Sequence, residues 1–234
     1  MAVLNGTLSK QVYGRIKDRF LGGEYLPGDR ILEEELAREY GVSLTPIREA
    51  MQRFQAEGLV VRKEHRALYV RSFTLEEAQN VYEMRELLEP YAIELATRHF
   101  DSQWLDKVEA IEAEQRAGLN AQDFPSVQRT NYYLHVAFAE GSHNPILVEM
   151  IERLWVFVPV LRAVAWRNNA AGPLFSADEH AEIIAHLRNH CAEEAVAAAR
   201  RHVLGSWERV RRKLEDELPQ LASKPGANEG GVRA

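Results

Sequence analysis

EEELAREYGVSLTPIREAMQRFQAE, residues Glu33–Glu57, reads as two short helices joined by a tight turn. Leu36, Ala37 and Tyr40 form the apolar face of the first helix. Gly41 supplies the left-handed backbone that a sharp turn needs, and Val42 drops back into the core. Thr45 is placed to cap the second helix, with Pro46 at its first position, where a missing N–H costs nothing. Ile47, Ala50, Met51 and Phe54 then repeat at i, i+3, i+4 and i+7, so one face is buried. The opposite face carries Thr45, Arg48, Glu49 and Gln52. In a major groove, Arg reads guanine, Gln reads adenine, and hydroxyls and the helix N-terminus hold phosphates. On spacing alone, an ordinary helical hairpin with a solvated face fits as well.

The flanks decide between the two readings. Upstream, Leu8, Val12, Ile16 and Phe20 follow at helical spacing from a start at Thr7 or Ser9, and Gly22-Gly23 stops the helix. Leu26-Pro27-Gly28-Asp29-Arg30 is a turn. Downstream, Gly58–Arg62 and Ala67–Val70 are β-prone runs around the charged tip Lys63-Glu64-His65-Arg66. Helix, helix-turn-helix and hairpin in this order make a winged helix. The tip would reach the DNA backbone or minor groove, unless it is simply a solvated turn.

LPGDRILEEELAREYGVSLTPIREAMQRFQAEGLV resembles the GntR family of bacterial transcriptional regulators. The resembling pieces are Pro-Gly, Glu-x-x-Leu-Ala, Gly-Val-Ser, Thr-Pro-x-Arg-Glu-Ala and Glu-Gly-Leu-Val. The resemblance implies DNA contacts by Ser43, Thr45 and Arg48, joined by Gln52 on the same face, with His65 and Arg66 as wing contacts. Leu44 stands where the family usually has a DNA-contacting Arg, and Ala67 where the wing usually has Gly. Both departures bear on operator preference and wing shape.

A chain of 234 residues, 46% of them hydrophobic, is long enough for two domains with cores. It has no eighteen-residue apolar run for a membrane span and no apolar signal region. Cys191 is the single cysteine, so no internal disulfide forms, and a cytoplasmic location is expected. The net charge of −6 is unevenly spread. Through Phe73 there are 12 basic and 10 acidic residues, and beyond it 17 and 25. The basic excess therefore accompanies the helix-turn-helix. Because it is small, affinity must come from dimerisation and placed contacts.

Residues 1–73 are read as the winged helix-turn-helix domain, with Ser72-Phe73-Thr74 as linker. Residues 74–218 are read as an antiparallel all-α bundle, and 219–234 as a disordered tail. Thr74 and Glu77 form a capping box at the bundle's start. Helices are expected near 75–99, 102–118, 123–140, 144–168, 177–190 and 192–217. Pro90 is expected to bend or split the first and Pro159 to kink the fourth; Gly141-Ser142 and Gly172-Pro173 mark loops.

Three inward stripes of the bundle carry polar groups. Asn131 and His135 share a face with Val127, Leu134 and Phe138. His180 lies with Ile183, Ile184 and Leu187, and His202 with Ala195, Ala198, Ala199 and Ser206. Each His alone is satisfied by a carbonyl or water. Three together with Asn131 suit a divalent metal such as Zn or Ni with an open position. Residues 75–216 resemble the FCD effector domain of FadR-type GntR regulators, through Met84–Pro90, Asn131…His135, Ser142–Leu147, Glu179–Ile184 and Ala197–His202. That resemblance implies metal ligands Asp, His, His and His at the positions of Asn131, His135, His180 and His202. The amide of Asn131 is a neutral and weaker ligand than a carboxylate, and His143 stands where Gly is usual.

The resemblance further implies a small organic acid as effector, a homodimer on a palindromic operator in double-stranded DNA, and repression. Arg85 is the first candidate to hold the acid, with an intrahelical pair to Glu89 as the alternative. Arg162 is the second, with a solvated surface position as the simpler reading. Tyr132, Tyr133, Trp155, Phe157 and Trp166 read as core or dimer packing, with one or two of them as alternatives to line the cavity. An enzyme is not expected: His-Glu-x-x-His, Gly-x-Ser-x-Gly and the glycine fingerprint are absent. A ligand-independent architectural DNA binder would not need polar groups on three inward stripes.

Overall fold

The computed structural model describes residues 2–63, 67–166 and 171–222, with side chains for 8–63, 67–165 and 176–216. Helix α1 (Ala2–Leu21) precedes β1 (Arg30–Ile31), α2 (Glu33–Tyr40), α3 (Leu44–Ala56), β2 (Val60–Arg62) and β3 (Leu68–Val70). α1 starts earlier than Thr7, and Leu8 is exposed, so Val12, Ile16 and Phe20 carry the buried face. Three glutamates in the first turn of α2 complement the helix dipole where Leu32 offers no side-chain cap. Gly41 sits at φ 65°, and Val42 N–H returns to the Ala37 carbonyl at 3.0 Å. A Cβ on Gly41 would meet no atom within 4 Å, so the glycine serves the backbone conformation and not space.

The cap of α3 falls on Ser43, not Thr45, and Pro46 stands at the third helical position. Its missing N–H still costs nothing, because the first four amides of a helix lack intrahelical acceptors. Ile47, Ala50, Met51 and Phe54 are fully buried. β2 and β3 form the expected hairpin, pairing Val60 with Val70 and Arg62 with Leu68. β1 adds a third strand, giving the order β1-β3-β2.

The bundle holds α4 (Leu75–Arg98), α5 (Ser102–Asn120), α6 (Phe124–Glu140), α7 (Pro145–Trp155), α8 (Val158–Trp166), α9 (Ala171–Arg188) and α10 (Ala192–Ala222). The Thr74–Glu77 capping box is present, with both bonds made. Asp101, Asp123 and Asn144 cap α5, α6 and α7. α10 packs on α4, α8 and α9; α5 on α6 and α9; α4 on α6 and α7.

Several boundaries differ from the sequence reading. α4 runs unbroken through Pro90. The expected 144–168 helix divides after Trp155, where Pro159 can neither donate to nor fit against the carbonyl four residues back. Gly172-Pro173 lies in the first turn of α9 instead of a loop, a place where proline is tolerated. α10 continues past 218 to Ala222; the rest of the expected tail lies outside the described residues. His143 takes φ 52° just after α6, the left-handed conformation that explains the family's glycine there.

Gly141 serves a different purpose. A Cβ there would come within 2.3 Å of the Trp104 indole and 2.9 Å of Ala96 Cβ. Trp104 is itself fixed by a 2.7 Å bond from Nε1 to the Ala137 carbonyl. Gly141→Ala is therefore expected to cost about 1–3 kcal/mol by overpacking. A thermal melt should fall by several degrees, and an unchanged melt would show that Trp104 moves aside freely.

Candidate functional site

α6, α9 and α10 bring His135, His180 and His202 together, each at most 3% exposed. Their candidate ligand nitrogens all lie within 4.8 Å of one another, and His135 Nε2 stands 3.2 Å from His180 Nε2. The other ring nitrogen of each is held from outside. His135 Nδ1 bonds to Glu89 at 2.8 Å, His180 Nδ1 to Gln115 Oε1 at 3.0 Å, and His202 Nδ1 to Glu179 at 2.7 Å. Each outer group can accept a proton from Nδ1, and in that tautomer the Nε2 lone pairs are left for a metal.

Burial pushes all three imidazoles below their usual pKa, His135 to about 3 despite Glu89 beside it. They are neutral near neutral pH, the form that ligates metal. Burial alone would raise Glu89, but Arg85 and His135 outweigh it and hold the carboxyl well below its usual range. Glu179, also opposed by burial, is held at about 2 by His202 and by a forked pair from Arg209 at 2.8 and 2.7 Å. Converging neutral imidazoles, oriented by a carboxylate, an amide and a second carboxylate, fit a divalent metal of the zinc or nickel type.

Asn131, 1% exposed, lies one turn before His135 on α6. Its Oδ1 accepts a bond from Gln115 Nε2 at 3.3 Å. Arg85 makes the intrahelical pair with Glu89 at 2.6 Å, fully buried between the rings of Trp155 and Tyr82. Its Nη1 makes no hydrogen bond among the described residues. Arg162 is not a surface residue: it is 2% exposed on α8, and burial pulls its pKa down to about 9. It therefore remains charged at neutral pH. Trp155, read as packing, stacks on His135 at 4.0 Å and donates to Glu89 at 2.8 Å.

The sequence reading missed the outer shell. Glu89 was visible only as the i+4 partner of Arg85, and Glu179 only as the neighbour of His180. Gln115 had no signal, because its partners belong to α6 and α9.

On the winged domain, Thr45, Arg48 and Gln52 are exposed on one side of α3, with Ser43 exposed at its start. Arg48 stands 3.8 Å from Glu33, and both line a shallow concavity with Gln52 and the wing strand's Arg62. His65 and Arg66 lie outside the described residues. Among the described residues, no helix is long and apolar enough to cross a membrane.

A winged helix-turn-helix joined to a helical bundle with a buried polar centre defines a DNA-binding regulator with a sensory domain. The gntR family of bacterial regulatory proteins matches residues 8–70, and the FCD domain family matches residues 80–205. The chain belongs to the GntR family of transcriptional regulators with an FCD effector domain, and is not an enzyme. It is 28% identical over 202 residues to the uncharacterized HTH-type transcriptional regulator YdhC of Bacillus subtilis, covering 84% of this chain and 86% of that protein. It is 28% identical over 150 residues to the HTH-type transcriptional regulator McbR of Escherichia coli, covering 64% and 68%. The solved structure of E. coli McbR/YncC shares the fold at a TM-score of 0.75 and 24% identity, over 91% of this chain and 98% of that one.

Proposed function

We propose that this chain is a repressor that acts in the cytoplasm, binds a palindromic operator as a homodimer, and is controlled by a small carboxylate metabolite at a divalent metal. The observation carrying this reading is the inward convergence of three neutral imidazoles. When bound, the metal would supply a Lewis-acidic positive centre for carboxylate oxygens. His135, His180 and His202 would hold it, and Glu89, Gln115 and Glu179 fix their rings. Asn131 stands at the fourth position of the family's ligand set. Arg85, whose Nη1 makes no hydrogen bond among the described residues, and the buried Arg162 are the candidates to hold the acid.

Two recognition helices are needed to read a palindrome. Met84, Leu87 and Tyr91 on α4 and Ile146 and Met150 on α7 are exposed apolar side chains on two helices that pack together. They offer a face for the second copy. Ser43, Thr45, Arg48 and Gln52 meet the DNA, and the wing adds His65 and Arg66. Arg48→Ala should weaken operator binding by about 1–3 kcal/mol per half-site, measured by fluorescence anisotropy. Equal affinity for both proteins would remove α3 as the reading helix.

Contact between the centre and the winged domain supports control. Trp155 stacks on His135 and meets Tyr132 edge-on at 6.5 Å. Tyr132 Oη accepts from Lys17 of α1 at 3.0 Å, and Tyr133 bonds Asp18 at 3.2 Å. Tyr132→Phe should keep both acid and DNA binding but reduce their coupling by roughly 0.5–2 kcal/mol. Acid-induced release unchanged in this variant would exclude the Lys17 contact as a route.

A thermal-shift screen of small organic acids, on zinc-loaded and chelator-stripped protein, tests the proposed centre. An acid at a hundredfold excess over its Kd should add about 2.7 kcal/mol of stability. The shift should disappear on stripping. A shift that survives stripping would place the acid away from the imidazoles.

A further inference from the structure

The hydrogen bonds around Gln115 fix which end of Asn131 is available. With Nε2 of His180 left to the metal in the proposed centre, its proton is on Nδ1, and Gln115 Oε1 accepts it at 3.0 Å. That bond orients the Gln115 amide. Its Nε2 then faces the Val127 carbonyl at 3.5 Å and Asn131 Oδ1 at 3.3 Å. A backbone carbonyl can only accept, so Val127 independently requires nitrogen at that end. Asn131 must consequently direct its oxygen to Gln115. Its Nδ2 is buried and makes no hydrogen bond among the described residues.

A buried N–H without an acceptor is costly, and the inward imidazole nitrogens are committed to the metal in the proposed centre. Charge points the same way. The nearest carboxylates, Glu89 and Glu179, bond the outer nitrogens of His135 and His202 and are matched by Arg85 and Arg209. A divalent ion on three neutral rings would have no anionic ligand from the groups that hold those rings.

We propose that Asn131 is a hydrogen-bond donor to a small anion at the three-His centre rather than its fourth ligand, and that this anion supplies the negative ligand the protein omits. Metal and anion then bind cooperatively, each raising the affinity of the other by the same factor. An aspartate at this position would bring its own charge and make metal retention independent of the anion. This inference rests on the metal-effector reading above.

The test uses full-length protein, zinc, and acetate as the probe anion, with zinc affinity read by competition with a chromophoric chelator. Acetate should raise the wild-type zinc affinity by about fivefold or more, the lower end of ordinary coupling between sites. Asn131→Ala should keep the acetate-free affinity and lose the enhancement. Asn131→Asp should bind zinc more tightly without acetate and gain nothing from it. Loss of acetate-free zinc affinity in Asn131→Ala by more than the roughly 10–100-fold that loss of an outer-shell partner costs would make Asn131 a ligand and overturn the proposal. An acetate effect absent from the wild type would overturn it equally, with a water as the acceptor. Zinc binding unchanged in His180→Ala would instead remove the three-His centre itself.

Discussion

His180→Ala protein should lose its zinc-dependent stabilisation while its DNA affinity without effector stays at the wild-type level. His180 is completely buried, with Nε2 beside His135 and Nδ1 on Gln115. Its removal deletes one of three inward donors and leaves Gln115 Oε1 without its donor. Zinc affinity should fall by more than the roughly 10–100-fold that loss of an outer-shell partner costs. The recognition helix and its core, Phe54 against Phe20 and Tyr13, stand apart from this centre, so operator binding should survive. Competition titration with a chelator and anisotropy on operator DNA read the two effects separately. Loss of both would mean that the substitution unfolds the bundle; His180→Gln, which keeps volume and polarity, then decides. Zinc affinity retained in both variants would exclude His180 as a ligand.

Glu89→Ala should be the most destabilising single change. The carboxylate accepts from Arg85 at 2.6 Å and Trp155 at 2.8 Å, and holds His135 at 2.8 Å. Its removal leaves the Arg85 guanidinium buried without its counter-charge, which costs about 3–5 kcal/mol. For a chain of this size each kcal/mol shifts the melt by roughly 2–4 °C, so the fall should be on the order of 6–20 °C. The sign with pH follows from the depressed carboxyl. Its contribution is complete above the unfolded value near 4.5, declines progressively as pH falls below that value, and is gone once pH has fallen through the lower folded value. Differential scanning calorimetry at neutral pH measures the loss. A melt within a degree or two of wild type would show that Arg85 finds another partner.

The winged helix was legible because its signals are local: a glycine at a left-handed turn, a proline in a first turn, and an apolar stripe at helical spacing. β1 was not, because Arg30–Ile31 is two residues long and exists only by pairing with Tyr69 and Leu68. The break before Pro159 was legible from proline geometry, though as a kink and not as two helices. The three histidines were legible because each shares a stripe with buried aliphatic residues. Their supports were not, since Glu89, Gln115 and Glu179 reach His135, His180 and His202 from other helices, α4, α5 and α9. Arg162 was misread as solvated although α8, VPVLRAVAW, is apolar around its whole circumference. A helix of that kind is buried on all sides, and its single cation goes in with it.

The most direct measurement is anisotropy of operator DNA, taken from upstream of the chain's own gene, titrated with wild-type and His180→Ala protein, with and without zinc and the stabilising acid. Zinc plus acid should release wild-type protein from DNA and leave the variant bound. Release of both proteins alike, or of neither, would contradict control of DNA binding through the three-His centre.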